Sequence, residues 1–377
     1  MTWIAEEILS VTPSTSPDAA LSEQNLDKLY RLFKRHDLAH LLGVTLDRRG
    51  LLPQGKLRDR FVEQVHTAMY RHETSEYELF RICAAFEDAH IPYVPLKGAV
   101  IRHVYAQPWM RTSCDLDVLV HEEDLDRATD ALVDRYGYTT DRVRHYHNIS
   151  LFTDSGVHLE LHFNIFEATP HLDAQLARVW EYATPIGDSY RYELSNEFTM
   201  FYLIAHMSRH FSEGGCGIKP LLDLYILQRK LSYDETAFHA LITTCQLQTF
   251  YRTMLQLLDV WVSGGTHTAL TRDCEDFLLN GGTYGTKQQK HATNKEKHTN
   301  MVQYFFRRVF PSYEKMAMLY PELHSKKWKY PVFQLCRFRH LFRPNAIQNR
   351  VEELRIVNNI SADKRDTVVN MMNQLGL

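Results

Sequence analysis

Asp115 and Asp117 stand on either side of a single leucine in the run Ser113-Cys114-Asp115-Leu116-Asp117-Val118-Leu119-Val120. In an extended strand, alternate side chains face the same way. Both carboxylates then project from one face, while Leu116, Val118 and Val120 fill the other. Two like charges this close repel, and at least one carboxyl pKa must rise unless a cation sits between them. A hard divalent cation such as Mg2+ (or Mn2+) removes that penalty and prefers oxygen ligands. The stretch Val157 to Phe163 repeats the parity, with Val157, Leu159, Leu161 and Phe163 on one face and His158, Glu160 and His162 on the other. Glu160 is the natural third carboxylate. Three carboxylates can hold two metal ions, one activating an attacking hydroxyl and one binding a triphosphate and its leaving group.

Other residues could join this chemistry, and each also has a plainer reading. Lys97 and Arg111 carry charge suited to phosphate; the alternatives are a surface lysine and a salt bridge from Arg111 to one of the Asp residues. Gly98 would let the backbone approach a phosphate closely, or it is an ordinary strand-to-helix turn. His206 and His210 are four apart and share a helix face. They could line a nucleotide or acceptor cleft, bind zinc, or pack near and hydrogen-bond Asp223; Met207 stands where a His-Glu-x-x-His zinc motif needs Glu. His158, Glu160 and His162 form a rival metal set of a hydrolase, or the histidines orient the carboxylates. Cys114 points away from Asp115 and reads as a small buried residue.

The elements that would position these residues follow from the apolar spacing. Residues 12–20 read as a turn or N-cap region. Leu21 to Leu42 repeats near 3.6 residues, one helix or two, and Leu57 to His90 repeats the pattern at greater length. The proline of Ile91-Pro92 ends it. Residues 1–90 are therefore expected to be a helical segment. Tyr93 to Leu96 is a short buried strand, Ala99 to Tyr105 a short helix, and Asp115 to Val120 a second strand. Glu122 to Tyr136 is a helix with acids in its first turn, suited to the positive end of its dipole. His145 to Phe152 and Val157 to Phe163 are strands joined by Thr153-Asp154-Ser155-Gly156, a tight hairpin. This gives a small α/β unit over residues 91–192. Residues 193–377 return to helix: Phe198 to His210, Leu221 to Leu231, and Tyr233 to Gly264. Gly281 to Thr299 is polar and reads as a loose loop.

The 377 residues exceed one compact core. A formal net charge of -3 excludes a general polyanion binder. The segment 287–350 is different, with 14 Lys/Arg against 3 Glu. It contains Arg307-Arg308, Lys326-Lys327-Trp328-Lys329-Tyr330 and Arg337-Phe338-Arg339-His340. Basic residues interleaved with aromatics can contact RNA, an anionic membrane surface or an acidic partner; the plain reading is a solvated helix face. No apolar run reaches the roughly 18 residues of a membrane span. Met1 to Val11 has two Glu and no basic residue, a poor signal peptide. The six cysteines form no Cys-x-x-Cys pair and read as reduced thiols of a cytoplasmic protein.

At the residues that carry the chemistry the chain resembles a known family. Pro95-Leu96-Lys97-Gly98-Ala99, Tyr105, Pro108, Arg111, Asp115-Leu116-Asp117-Val118-Leu119-Val120 and Glu160-Leu161-His162 resemble the uncharacterised nucleotidyltransferase family of the polymerase-β-like superfamily. Phe201 to His206, His210 and Leu222-Asp223-Leu224 resemble its helical half, and Phe310-Pro311-Ser312 and Tyr320-Pro321 also fit. The resemblance spans about residues 25 to 345. It implies an α+β fold with a small mixed sheet, two Asp and a third acid binding Mg2+, and transfer of a nucleoside monophosphate from an NTP. The superfamily usually carries Gly-Ser or Gly-Gly on the turn after the first strand, and this chain has Gly98-Ala99.

The expected protein is thus an α+β nucleotidyltransferase with a helical N-terminal segment, a small mixed-sheet core and a helical C-terminal region. Asp115, Asp117 and Glu160 would hold metal, and Lys97, Gly98 and Arg111 the phosphates, with His206 and His210 lining the cleft. The nucleotide would be an NTP, ATP foremost; protein, tRNA and small-molecule acceptors stay open. The Gly98-Ala99 departure motivates one alternative, a non-catalytic nucleotide- or partner-binding module on the same fold; the His/Glu hydrolase is another.

Overall fold

The computed structural model describes residues 1–10, 22–293, 327–341 and 362–377, together with Tyr313, Met316 and Leu323. The turn expected at 12–20, Arg307-Arg308, Phe310-Pro311-Ser312 and Tyr320-Pro321 lie outside these residues. So does most of the basic segment.

Four helices come first: α1 (Thr2–Leu9), α2 (Glu23–Arg35), α3 (Ala39–Arg48) and the 33-residue α4 (Lys56–Asp88). The Ser22 side chain caps α2 by accepting from the Asn25 backbone N–H, and Lys34 and Arg35 close its last turn. Helix α4 stops two residues before Ile91-Pro92, with His90 at φ 56°.

The sheet follows. Its strands are β1 (Tyr93–Leu96), β2 (Asp115–Val120), β3 (Asn148–Phe152) and β4 (His158–His162), in the order β1-β2-β4-β3. Helix α5 (Gly98–Ile101) and a 3-10 turn at Arg102–Val104 occupy the expected short helix. Helix α6 (Leu125–Tyr136), entered through a 3-10 turn, links β2 to the hairpin and ends on left-handed Gly137. β2 and β4 are parallel, and the outer pairings are antiparallel. This is the small mixed sheet the sequence implies.

Strand alternation divides the sheet. Leu116, Val118, Val120, Leu159 and Leu161 form one core with Ile82 and Phe86 of α4 and Leu125 and Leu132 of α6. On the other face Val94, Leu96 and Leu119 join a larger core shared by α1 to α3 and the later helices. Those include α7 (Pro170–Leu176), α8 (Asn196–Ser212), α9 (Lys219–Lys230), α10 (Glu235–Thr244), α11 (Gln248–Ser263) and α12 (Ala269–Gly281), together with the helix Ala362–Leu375. A two-stranded sheet, β5 (Ala183–Pro185) and β6 (Tyr192–Leu194), precedes α8. Among the described residues no helix is long and apolar enough to cross a membrane.

One expectation needs correction. The polar stretch after Gly281 is not wholly loop: Lys287–Thr293 forms helix α13. Thr286 Oγ1 accepts from the Gln289 backbone N–H at 3.1 Å, and the buried Gln289 amide donates to the Phe277 carbonyl of α12. A side-chain cap and one buried amide hold a helix whose composition shows no apolar stripe.

Candidate active site

Asp115 pairs with His158 and Asp117 with Glu160 in the parallel β2–β4 ladder. Because the register is direct, the three carboxylates expected from strand parity share one face. Asp117 is 3% exposed, and its Oδ1 accepts from Lys97 Nζ at 2.9 Å and from His162 Nε2 at 2.9 Å. His162 Nε2 also lies 3.4 Å from Glu160 Oε2. Two sets have ligand atoms mutually within 4.8 Å: Asp115, His158 and Glu160, and Asp117, Glu160 and His162.

The charges on this wall are unevenly balanced. Asp115 accepts from Ser113 Oγ at 3.2 Å and has no ion pair among the described residues. Burial first, then the charges of Asp117 and Glu160, raise its carboxyl above the usual range. Burial would also raise Asp117, but Lys97 and His162 outweigh it and hold that group far below the usual range. Glu160 is lowered despite burial, chiefly by its bond to His162. A half-buried, unpaired carboxylate beside two others is the donor set a hard divalent cation suits, so these residues fit such an ion.

The phosphate candidates gather at the turn after β1. Lys97 adopts φ 45°, a strained value outside glycine. A Cβ on Gly98 would lie 2.6 Å from Arg111 Nη1 and 2.7 Å from Ser113 Oγ, so the side chains packed against the turn favour glycine here. Arg111 does make a salt bridge, with Asp223 of α9 at 2.8 Å rather than with the strand acids. Asp223 is fully buried and also accepts from the Tyr105 hydroxyl at 2.7 Å.

The opposite wall belongs to α8. His206 does not bond Asp223; its Nδ1 lies 2.7 Å from Oε1 of Glu167, which is 3% exposed. Arg209 donates to Glu167 Oε2 at 3.0 Å. Burial works to raise Glu167, but His206, Lys97 and Arg209 pull it down to about 2. The His210 ring meets His206 edge-on at 4.3 Å, and burial first, then His206, pushes its imidazole down to about 3. Neither histidine belongs to a cluster of three metal-ligating groups among the described residues.

Between the walls lies a cleft of about 480 Å³. All eight expected site residues line it: Asp115, Asp117, Glu160, Lys97, Gly98, Arg111, His206 and His210. Two other expectations fail. Cys114 is exposed, because it lies one residue before β2 begins and strand parity does not govern it. His158 and His162 fall in different ligand sets; His158 Nε2 bonds Ser150 Oγ at 3.0 Å, away from His162. Sequence reasoning missed Glu167 and Tyr202, whose ring lies 5.9 Å from Lys97 Nζ. For Glu167 a signal existed, a lone acid in the apolar run Ile165-Phe166-Glu167-Ala168.

No curated protein and no solved structure matches the chain significantly. A family model described as "Uncharacterised nucleotidyltransferase" matches residues 22–263. That span holds both walls of the cleft and most of the chain: this protein belongs to the uncharacterised nucleotidyltransferase family.

Proposed function

We propose that this chain is an Mg2+-dependent nucleotidyltransferase that moves a nucleoside monophosphate from an NTP, ATP foremost, to an acceptor hydroxyl and releases pyrophosphate. The observation that carries the reading is the direct pairing of Asp117 with Glu160, which gathers three carboxylates beside Lys97. Asp115, Asp117 and Glu160 would hold the divalent ions. Bound there, the ions would supply charge stabilisation to the triphosphate and activation of the attacking oxygen. Lys97 brings positive charge to the phosphate side, and Gly98 opens the turn. Arg111, anchored by Asp223, is the second cation there. Holding the NTP against this wall orients the α-phosphorus for in-line attack, which is where much of the rate would come from. His206 and His210 border the space left for nucleotide and acceptor.

The decisive experiment is labelling of candidate acceptors (protein, tRNA and small hydroxyl compounds) from α-labelled ATP with and without Mg2+. Label should appear only with Mg2+ and be lost in Asp117→Asn. Equal labelling by the variant sinks the proposal. Binding of ATP without turnover on any acceptor would favour a non-catalytic module, the reading that Ala99 at the turn supports.

A further inference from the structure

The strand acids are poorly placed to take a proton once they ligate cations, because a bound cation suppresses their basicity. The α8 wall carries a different group. Glu167 is ionised and can only accept, so the Nδ1 of His206 carries a proton, and in the neutral imidazole the lone pair then lies on Nε2. That Nε2 has no hydrogen-bond partner among the described residues, and the side chain lines the cleft at 25% exposure. Arg209 fixes the second oxygen of Glu167, and the Glu167 backbone N–H donates to Asp173 at 2.7 Å, so the carboxylate cannot swing away.

We propose that His206 is the general base for the acceptor, with Glu167 as its positioning residue. The inference rests on the transferase reading above. The acceptor O–H proton passes to His206 Nε2 as the acceptor oxygen bonds to the α-phosphorus. The bond from that phosphorus to the bridging oxygen breaks, and pyrophosphate leaves with the electron pair. The imidazolium formed lies against ionised Glu167, which stabilises it, and then returns its proton to water. Tyr202 and His210 face His206 from its own helix, and Arg209 of that helix bonds Glu167. Lys97 and His147 act on Glu167 from the sheet side. From α9, Lys219 and Asp223 line the cleft but are committed to Asp37 and Arg111.

The test follows pyrophosphate release from ATP and Mg2+, with water and then glycerol as acceptor, across pH. A non-hydrolysable ATP analogue measures binding by calorimetry. His206→Gln should bind the analogue within about twofold of wild type and lose about 100-fold in kcat. Its kcat should also lose the rise with pH that an unprotonated base requires. Glu167→Gln should lower kcat while leaving analogue binding near wild type, and imidazole should restore turnover to His206→Gly. An unchanged pH profile in His206→Gln, or a loss equal at every pH without imidazole rescue, overturns the assignment. If wild type binds ATP yet releases no pyrophosphate on any acceptor, the transferase reading falls, and this inference with it.

Discussion

On the sheet wall Asp115 is half-buried with a serine hydroxyl for a partner and no ion pair among the described residues. On the helix wall Glu167 is more deeply buried, yet both its oxygens are bonded, one to His206 and one to Arg209. The two carboxylates face one cleft and end with opposite charge balance. The first raises its proton affinity and calls for a cation from outside. The second is neutralised from within and is free to orient a histidine. Burial alone separates them poorly; what differs is how many positive groups the fold brings to each.

The comparison can be broken most strongly at Asp117, a sheet-wall acid held by both Lys97 and His162. Asp117→Asn should lower Mg2+-dependent labelling by about a thousandfold or more. Next is the anchor of Arg111. Asp223→Ala leaves a buried guanidinium unpaired and should cost about 3–5 kcal/mol in a urea titration; a loss below about 1 kcal/mol would mean that water replaces the carboxylate. Glu167 gives a pH signature. Its folded value is depressed from an ordinary 4.5 to about 2. Its contribution is therefore fully present above 4.5 and lost as pH falls toward 2, on the order of 3 kcal/mol in all. Stability of Glu167→Gln should fall less steeply across that window; a parallel acid limb would remove Glu167 from the account. Mg2+ sharpens the contrast further. At about 100 times its Kd it should stabilise wild type by roughly 2.7 kcal/mol and Asp115→Asn much less. The smallest effect is at the turn, where Gly98→Ala should cost about 1–3 kcal/mol as Arg111 and Ser113 shift aside.

The sheet wall was largely legible in the sequence, because a strand's period of two assigns faces without knowledge of partners. Asp115, Asp117, Glu160 and the apolar residues between them needed only that rule. The helix wall was legible only in part: the i, i+4 pair His206 and His210 was expected at the cleft, but its partners were not. Glu167 meets His206 across 39 positions, and Arg111 meets Asp223 across 112. Neither pairing leaves a local pattern, and proximity of Arg111 to the strand acids in sequence suggested the wrong partner. Lys97 at positive φ was equally hidden, since the strain is held by what surrounds it rather than by residue type. Helix α13 escaped notice because its cap is a side chain and its tie to the core is an amide. The resemblance to the family reached further than periodicity, since it included the His206 and Asp223 regions that no spacing rule joined to the sheet.

On β2, Asp115, Asp117 and Leu119 follow one another along a single face: the first is partly exposed, the second is 3% exposed, and the third is fully buried in the core. Within three alternate positions that face crosses from a wet to a dry medium. A charge placed along it therefore feels a dielectric gradient, with attraction to Lys97 strengthening toward the dry end. Closure of the α8 wall over the sheet would steepen the gradient and opening would flatten it. The affinity of the carboxylates for a cation would thus be set by how far the helices admit water, as well as by which residues face the cleft.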